Sequence, residues 1–278
     1  MNKKLILITG ATAGVGKAVA YALAAQGHEL ILVGRNPQKT ENVAQQIRTK
    51  TNNQAVHFLI ADFVDLEQIR HLAQRVKQKF PPLDVLINNA GAAFMRCYKT
   101  KYGVEKTFLV NHLAPFLLTN LLLDHLQSNA RIINVASGTH PHGRPDLNDL
   151  NFESFYFGIA AYARSKLANI LFTYELARRL KNEPITVNAL TPGRVGTDIF
   201  KSDFSIFGPF IKWFMARVSP TPEQGADNSI YLATSAEVEG VTGKYFVKRE
   251  AVASSPFSYD EELAKRLWEV SEKLTAAQ

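Results

Sequence analysis

The sequence predicts an α/β fold: a doubly wound, mostly parallel sheet of seven strands with helices on both faces. Short apolar runs alternate with segments of helical spacing along the 278 residues. Most runs are continuous Val, Ile and Leu rather than alternating, as in strands that helices cover on both faces. Strand–helix alternation of this kind implies right-handed βαβ units. No repeat or linker interrupts the pattern, so we predict one domain over residues 1–278.

Each element is predicted from its own pattern. Helical spacing of apolar residues predicts helices over Gly16–Gln26 and Leu66–Phe80. At the carboxyl end, Ser258 and Glu261 form a capping-box pattern that predicts the start of an amphipathic helix. The predicted strands are Lys4–Thr9, Glu29–Val33, Val56–Ala61, Asp84–Asn88, Arg131–Ala136, Thr186–Leu190 and Lys244–Val247.

Composition excludes several classes of function. The net charge of +7 is spread along the chain, which favours a solvated surface that attracts an anionic small molecule over nucleic-acid binding. The single cysteine, Cys97, excludes an intramolecular disulfide and fits a reducing compartment. The first apolar run, Leu5–Ile8, is too short for a signal or a membrane span. We therefore expect a soluble cytoplasmic protein.

Thr9–Gly16 follows the first strand and opens the first helix. Glycines there permit a tight turn and close approach of the backbone to a pyrophosphate, which the N–H groups and dipole of the helix would bind. The spacing G-x-x-x-G-x-G differs from the G-x-G-x-x-G fingerprint, and an ordinary strand–helix turn is the alternative. The expected phosphate-contacting residues are Gly10, Thr12, Ala13, Gly14, Val15 and Gly16.

The next two strands end in residues suited to the adenosine half of a dinucleotide. No acidic residue follows the second strand to read a ribose 2′-hydroxyl, whereas Arg35 can meet a 2′-phosphate. Asp62, with Phe63 beside it, closes the third strand and can accept a hydrogen bond from an adenine amino group. The alternatives are a solvent-facing arginine and a helix N-cap, although Asp65 is the better cap candidate.

Small and amide residues follow in the next segments. Asn89, Ala90 and Gly91 end the fourth strand, where small side chains leave room in the crevice that binds ligands in open α/β sheets. Asn111 lies inside an apolar helical stretch, and a buried amide there needs partners. A satisfied core asparagine is the alternative.

Ser137 follows the fifth strand and precedes a Tyr-x-x-x-Lys pattern. Tyr162 and Lys166 are four residues apart and share one helix face. A nearby ammonium favours a phenolate and lowers its pKa from about 10, so the pair can transfer a proton near neutral pH. His140 and His142 lack further ligands at suitable spacing, so we expect a polar loop there and no metal site.

In this order, the motifs resemble those of short-chain dehydrogenases/reductases over nearly the whole chain. The resemblance implies a Rossmann-type fold, a nicotinamide cofactor and a catalytic tetrad of Asn111, Ser137, Tyr162 and Lys166. Tyr162 would be the general acid/base, Ser137 would bind the substrate oxygen, Lys166 would tune Tyr162 and hold the nicotinamide ribose, and Asn111 would anchor a water. The segment that closes over the nicotinamide would contain Pro192, Gly193, Val195 and Thr197.

Further motifs resemble the retinol dehydrogenase-like and protochlorophyllide reductase-like branch of this family. In the family, the region after Thr197 forms a substrate flap, which we expect at 197–218. Six aromatic residues within 200–214 predict a bulky apolar substrate, with a packed helix or a membrane-surface contact as alternatives. The motifs of the branch are Asn111–Thr119, Asp149–Phe152, Ser165–Asn169 and Leu267–Ser271.

Two functions compete. The first is an enzyme that interconverts an alcohol and a carbonyl with NADP(H) in preference to NAD(H). The second is a cofactor-binding regulatory protein without turnover, which would be free to lose Tyr162. A purely structural protein would have no reason to retain the glycine loop and the tetrad together. Homo-oligomer formation is compatible with either function.

Overall fold

The computed structural model describes residues 3–144, 146–147, 149–151, 155–193 and 221–276. Its strands are β1 (Leu5–Thr9), β2 (Glu29–Gly34), β3 (Val56–Ile60), β4 (Leu83–Asn88), β5 (Leu126–Val135), β6 (Thr186–Leu190), β7 (Tyr245–Val247) and β8 (Glu250–Val252). Across the sheet their order is β3-β2-β1-β4-β5-β6-β7-β8. Only the pairing of β7 with β8 is antiparallel within this described sheet. The doubly wound, mostly parallel sheet is therefore confirmed.

The main helices are α1 (Gly14–Ala25), α2 (Pro37–Thr51), α3 (Leu66–Lys79), α4 (Ala114–Leu122), α5 (Gly158–Arg179), α6 (Pro222–Thr234) and α7 (Glu261–Ala276). A π-helical turn, Leu109–Leu113, leads directly into α4. Among the described residues, no helix is both long enough and apolar enough to cross a bilayer.

The helices cover both faces of the sheet, which explains the continuous apolar runs. In β1, Leu5 and Leu7 point into the core formed with α3, α4 and α5. The alternate residues Ile6 and Ile8 point into the core formed with α1 and α2. All five residues of β1 are buried. A strand buried on both faces needs apolar residues at every position, because successive side chains point to opposite faces.

The predicted count of seven strands was wrong, because β8 extends the sheet beyond β7. Lys248 and Arg249 form the connecting turn with φ values of 51° and 67°. Such a two-residue hairpin turn usually needs Gly, Asn or Asp, so the sequence carried no turn signal. Here a tertiary contact supports the turn: the Arg249 N–H donates to Asn228 Oδ1 at 2.6 Å, and its guanidinium pairs with Asp227.

The predicted cap of the C-terminal helix was also wrong. Asp260 Oδ1 accepts from the N–H of Leu263 at 2.9 Å, so Asp260 caps α7. Ser258 lies instead in a preceding 3-10 turn, Pro256–Tyr259. The helix itself is present and packs one face against the core through Leu267.

The strand order reverses between β1 and β4, which makes their carboxyl ends the switch point of the sheet. On one side of this point the sheet continues from β1 to β2 and β3, and on the other side it continues from β4 to β5, β6 and β7. Connections leave this point to opposite sides and open a crevice, where ligands bind in folds of this type. Thr9 and Asn88 are the last residues of these two strands.

Candidate active site

The glycine loop after β1 has the geometry of an anion cradle. Gly10 and Gly14 adopt φ values of +66° and +50°, a region that favours glycine. α1 begins at Gly14, its N-cap residue Ala13 makes no side-chain capping bond, and its first turn holds no acidic residue. The first N–H groups of a helix have no partner within the helix. This N-terminus therefore fits the pyrophosphate of a dinucleotide.

Asn89 holds that loop in place. Its Nδ2 donates to the carbonyls of Thr9 and Gly10 at 2.8 and 3.3 Å. The Thr9 hydroxyl accepts from the N–H groups of Asn89 and Ala90 at 3.0 and 2.9 Å. A Cβ on Gly16 would lie 2.3 Å from Asn89 Nδ2 and 2.5 Å from the Gly10 carbonyl oxygen, so only glycine fits at that position. Asn89 therefore fixes the position of the loop. The sequence did not predict this structural role.

The end of β2 packs against the same loop. A Cβ on Gly34 would lie 2.6 Å from Thr12 Cγ2, which shows how closely the two segments approach. Arg35 follows Gly34 and is exposed. Asn36 accepts from the N–H of Lys39 at 2.9 Å and caps α2, so its amide has a structural partner.

Of the two aspartates after β3, Asp65 was predicted to be the better candidate for the helix cap, and the structure confirms this. Asp65 Oδ1 accepts from the N–H of Glu67 at 3.1 Å and caps α3. Asp62 Oδ1 accepts from the N–H of Val64 at 3.1 Å and does not cap the helix. Phe63 beside it is buried. Contact of Asp62 and Phe63 with adenine stays a prediction.

Asn111 lies in the π-helical turn before α4. Such turns are rare and often occur at functional sites. Its Oδ1 accepts from the N–H of Ala92 at 2.7 Å, and its Nδ2 donates to the Ala92 carbonyl at 2.8 Å and to Ser165 Oγ at 2.9 Å. The amide thus ties the segment after β4 to α5. Its role in a proton relay stays a prediction.

Gly91 marks where the segment after β4 meets Asn111 and Lys166. A Cβ on Gly91 would lie 3.3 Å from Lys166 Nζ and 3.4 Å from Asn111 Oδ1. The absence of a side chain keeps space beside the ammonium. Three of the predicted residues, distant in sequence, are therefore neighbours in the fold.

Tyr162 and Lys166 lie on α5, and both are buried, with 6% and 3% of their surface exposed. Lys166 Nζ donates to the Val135 carbonyl at 3.0 Å and lies 5.5 Å from the centre of the Tyr162 ring. Burial lowers the pKa of Lys166 to about 8. Burial also raises the pKa of Tyr162 to about 12, and a hydrogen bond with Ser137 opposes that rise. The expectation that the phenol pKa would fall below about 10 was wrong, because burial disfavours the charged phenolate and raises the pKa.

Ser137 is held by a short turn. Its Oγ accepts from the N–H and from the hydroxyl of Thr139 at 3.2 and 3.1 Å. With these two bonds accepted, the hydroxyl proton remains to serve Tyr162 or a ligand. Ser137 and Tyr162 therefore face the same point, which the sequence order alone had suggested.

The end of β6 provides the segment predicted to face the nicotinamide. Thr191 Oγ1 accepts from the N–H of Gly193 at 3.2 Å, and Gly193 has a φ of +80°. Asn228 on α6 donates to the Thr191 carbonyl at 2.8 Å and fixes the end of the strand. Pro192 and Gly193 thus lie beyond the carboxyl end of the sheet. Val195, Thr197 and the predicted flap at 197–218 lie outside the described residues.

His140 was predicted to be part of a polar loop, but it is 4% exposed. Its Nδ1 donates to the Ser137 carbonyl at 2.9 Å, and its Nε2 accepts from the N–H of Ser255 at 3.0 Å. No cluster of metal-ligating side chains occurs in the part of the chain that the structure describes. The one weak signal for His140 in the sequence is its position three residues after Ser137.

A glycine loop at the switch point of a doubly wound sheet is the arrangement that dinucleotide-binding oxidoreductases use. The family model for short chain dehydrogenases matches residues 4–205, and the chain belongs to that family. Human retinol dehydrogenase 13 is 43% identical over 284 residues, covering 98% of this chain and 84% of that protein. Human polyprenol dehydrogenase is 38% identical over 283 residues, covering 98% of this chain and 85% of that protein.

Solved structures agree with this membership. An uncharacterised protein from Mycobacterium paratuberculosis superimposes with a TM-score of 0.79 at 32% identity, covering 98% of this chain and 93% of that chain. A short chain dehydrogenase from Escherichia coli, complexed with NADPH, gives a TM-score of 0.69 at 27% identity, covering 88% and 96%. The predicted family and branch are confirmed. The chain is a nicotinamide-dependent oxidoreductase that acts on alcohol or carbonyl groups.

Burial of Lys166 predicts how the free energy of unfolding depends on pH. Lys166 has a pKa of about 8 in the folded protein, whereas an unfolded lysine titrates near 10.4. Between these values the unfolded chain binds more protons, so the free energy of unfolding should rise with pH. Compared with Lys166→Met, which lacks the group, the wild type should gain ~1–2 kcal/mol between about pH 7.5 and 9.5. Urea unfolding of both proteins across this range measures the difference.

Lys265→Met is the matched control, since it removes an exposed ammonium from α7. The gain described above should be specific to Lys166. A difference between wild type and Lys166→Met that stays flat or falls over the range would contradict a lysine whose pKa burial has lowered.

Proposed function

We propose that the protein is an NADP(H)-dependent oxidoreductase that interconverts a bulky apolar alcohol and its carbonyl, with Tyr162 as the general acid/base. The observation that carries this proposal is the burial of Tyr162, hydrogen-bonded with Ser137 and adjacent to Lys166, at the switch-point crevice. A regulatory protein that only binds the cofactor would not need this arrangement.

The residues divide the chemistry between them. The nicotinamide, when bound, supplies or accepts a hydride. Tyr162 has a pKa of about 12, so it is protonated at neutral pH and can give its proton to the oxygen of a carbonyl under reduction. Ser137 donates a hydrogen bond to that oxygen and orients it. Lys166 supplies positive charge beside the phenol when Tyr162 has lost its proton.

Several features support a preference for NADP(H). Arg35 is exposed directly after β2, in the position where an acidic residue would read a 2′-hydroxyl. The neighbouring Asn36 is engaged in capping α2 and is neutral. A guanidinium can bind a phosphate through two parallel hydrogen bonds, which a neutral side chain cannot. The Escherichia coli structure named above contains NADPH.

Support for an apolar substrate comes from three sources. Two relatives are named for retinol and polyprenol, both apolar alcohols. Ile159 precedes Tyr162 by three residues, so the two share one face of α5, and 45% of its surface is exposed. The sequence at 200–214, which lies outside the described residues, contains six aromatic side chains. An exposed apolar side chain in line with the proton donor suits an apolar ligand.

Tyr162→Phe should reduce kcat by about 10² to 10⁴, the usual contribution of a general acid–base group. NADPH binding should survive, because the change removes one hydroxyl. Tyr231→Phe is the matched control: it removes one tyrosine hydroxyl from α6, where that hydroxyl donates to the Glu237 carboxylate. Steady-state kinetics and NADPH fluorescence titration measure the two effects. Near-normal turnover of Tyr162→Phe would reject the assignment, and a wild type that binds NADPH but turns over no carbonyl would favour the regulatory alternative.

Arg35→Ala should weaken NADPH binding by about tenfold or more and leave NADH nearly unchanged, because a charge-assisted phosphate contact contributes roughly 1.5–3 kcal/mol. Fluorescence titrations with both cofactors measure this. Arg266→Ala removes an exposed arginine from α7 and controls for the change in net charge. Equal weakening of both cofactors, or a wild-type preference for NADH, would refute the cofactor proposal.

The substrate proposal predicts a dependence on chain length. Each buried methylene contributes about 0.8 kcal/mol, so kcat/KM should rise about fourfold per CH₂ along straight-chain aldehydes until the pocket is full. Aldehydes of about four to twelve carbons, assayed with NADPH, test this. Ile159→Ser should lower kcat/KM more for long aldehydes than for short ones. A flat or falling series would indicate a small or polar substrate.

A further inference from the structure

His140 lies at the junction of three segments behind the site. Its Nδ1 contacts the Ser137 carbonyl, which is an acceptor only, and its Nε2 contacts the N–H of Ser255, which is a donor only. Both bonds together require the neutral ring with its proton on Nδ1. Burial lowers the pKa of His140, in agreement with a neutral ring.

The His140 ring also contacts a residue of β7, the strand next to β6. The ring packs edge-on against Tyr245 of β7, with centroids 4.9 Å apart and planes at 65°. Burial raises the pKa of Tyr245 to about 12, and a hydrogen bond with Thr191 opposes that rise. Thr191 in turn accepts from the N–H of Gly193. The turn after β5 and the end of β6 are thus supported by the same pair of rings.

The Ser137 carbonyl is held twice. It accepts from the His140 N–H at 3.1 Å and from the His140 ring at 2.9 Å. The first bond belongs to the turn, whereas the second depends on a ring that the C-terminal segment anchors at Ser255. A hydrogen bond from a positioned serine needs geometry good to about half an ångström. The position of the Ser137 peptide unit therefore depends on the His140 ring, which Ser255 holds from outside the turn.

We propose that His140 is a positioning residue for Ser137: its Nδ1–H fixes the Ser137 peptide, and Ser255 fixes the ring. The segment before α7 thereby sets where the Ser137 hydroxyl stands relative to Tyr162. This inference rests on the proposed function only for the role of Ser137. The competing interpretation is that His140 is a core residue whose bond to Ser255 contributes to stability but does not affect the position of Ser137.

Two variants of equal polarity separate these interpretations. The side-chain amide of His140→Asn lies where Nδ1 lies, so it can keep the bond to Ser137 and loses the one to Ser255. The amide of His140→Gln reaches the position of Nε2, so it can keep the bond to Ser255 and loses the one to Ser137. A role limited to the core predicts equal effects, or a larger effect for Asn.

We expect kcat of His140→Gln to fall by about tenfold or more, which corresponds to the loss of roughly one hydrogen bond. His140→Asn keeps the bond to Ser137 but loses the anchor at Ser255, so its kcat should fall by only about threefold, and the NADPH Kd of both variants should stay within about twofold of wild type. Thermal unfolding should show similar losses of stability in the two variants. Equal losses of kcat, or no loss in either, would overturn the inference.

Ser255→Pro provides an independent test if a histidine variant does not fold. Ser255 has a φ of −64°, which suits proline, and its N–H donates to His140. The variant should lower kcat by about threefold or more while NADPH binding persists, and an unchanged kcat would overturn the inference. Ser137→Ala is assayed alongside. If it keeps full turnover, the proposed function fails; if it loses turnover while His140→Gln keeps it, only the role of His140 fails.

Discussion

The Asn89 side chain makes the contacts on which both halves of the site depend. Its amide joins the end of β4 to the carbonyls of Thr9 and Gly10 at the point where the strand order reverses. Because that amide fills the space beside α1, Gly16 has no room for a side chain. α1 can then begin close to the sheet with its N-terminal N–H groups directed at a phosphate. The same amide fixes the start of the segment that leads to Ala90 and the catalytic side.

A second set of buried polar bonds fixes the helix that carries Tyr162. Asn88 Nδ2 donates to Thr119 on α4 and to Asn134 on β5, at 2.8 and 2.9 Å. Asn134 Nδ2 donates to Thr173 on α5 at 2.9 Å. Displacement of α5 by one residue would leave buried polar atoms without partners, which costs about 1–3 kcal/mol each. These hydrogen bonds therefore fix α5 in a single position relative to the sheet. Apolar packing alone would allow several positions.

The sequence allowed prediction of whatever depended on local pattern. The strands were predicted because helices on both faces demand continuous apolar residues, and Tyr162 and Lys166 were paired because positions four apart share a helix face. The features that it could not predict depend on contacts distant in the chain. The turn before β8 has no suitable residue of its own and relies on Asn228. His140 resembled a loop histidine because its partner, Ser255, is 115 residues away.

The electrostatics of the site explain why such distant contacts matter to the chemistry. Burial shifts the two pKa values in opposite directions, to about 12 for Tyr162 and about 8 for Lys166, since it disfavours the charged form of each. The phenol therefore keeps its proton until something stabilises its anion. Ser137 is the group whose hydrogen bond opposes that effect of burial. The acidity of Tyr162 consequently depends on where the turn after β5 places one hydroxyl, and His140 ties that turn to a segment near the end of the chain.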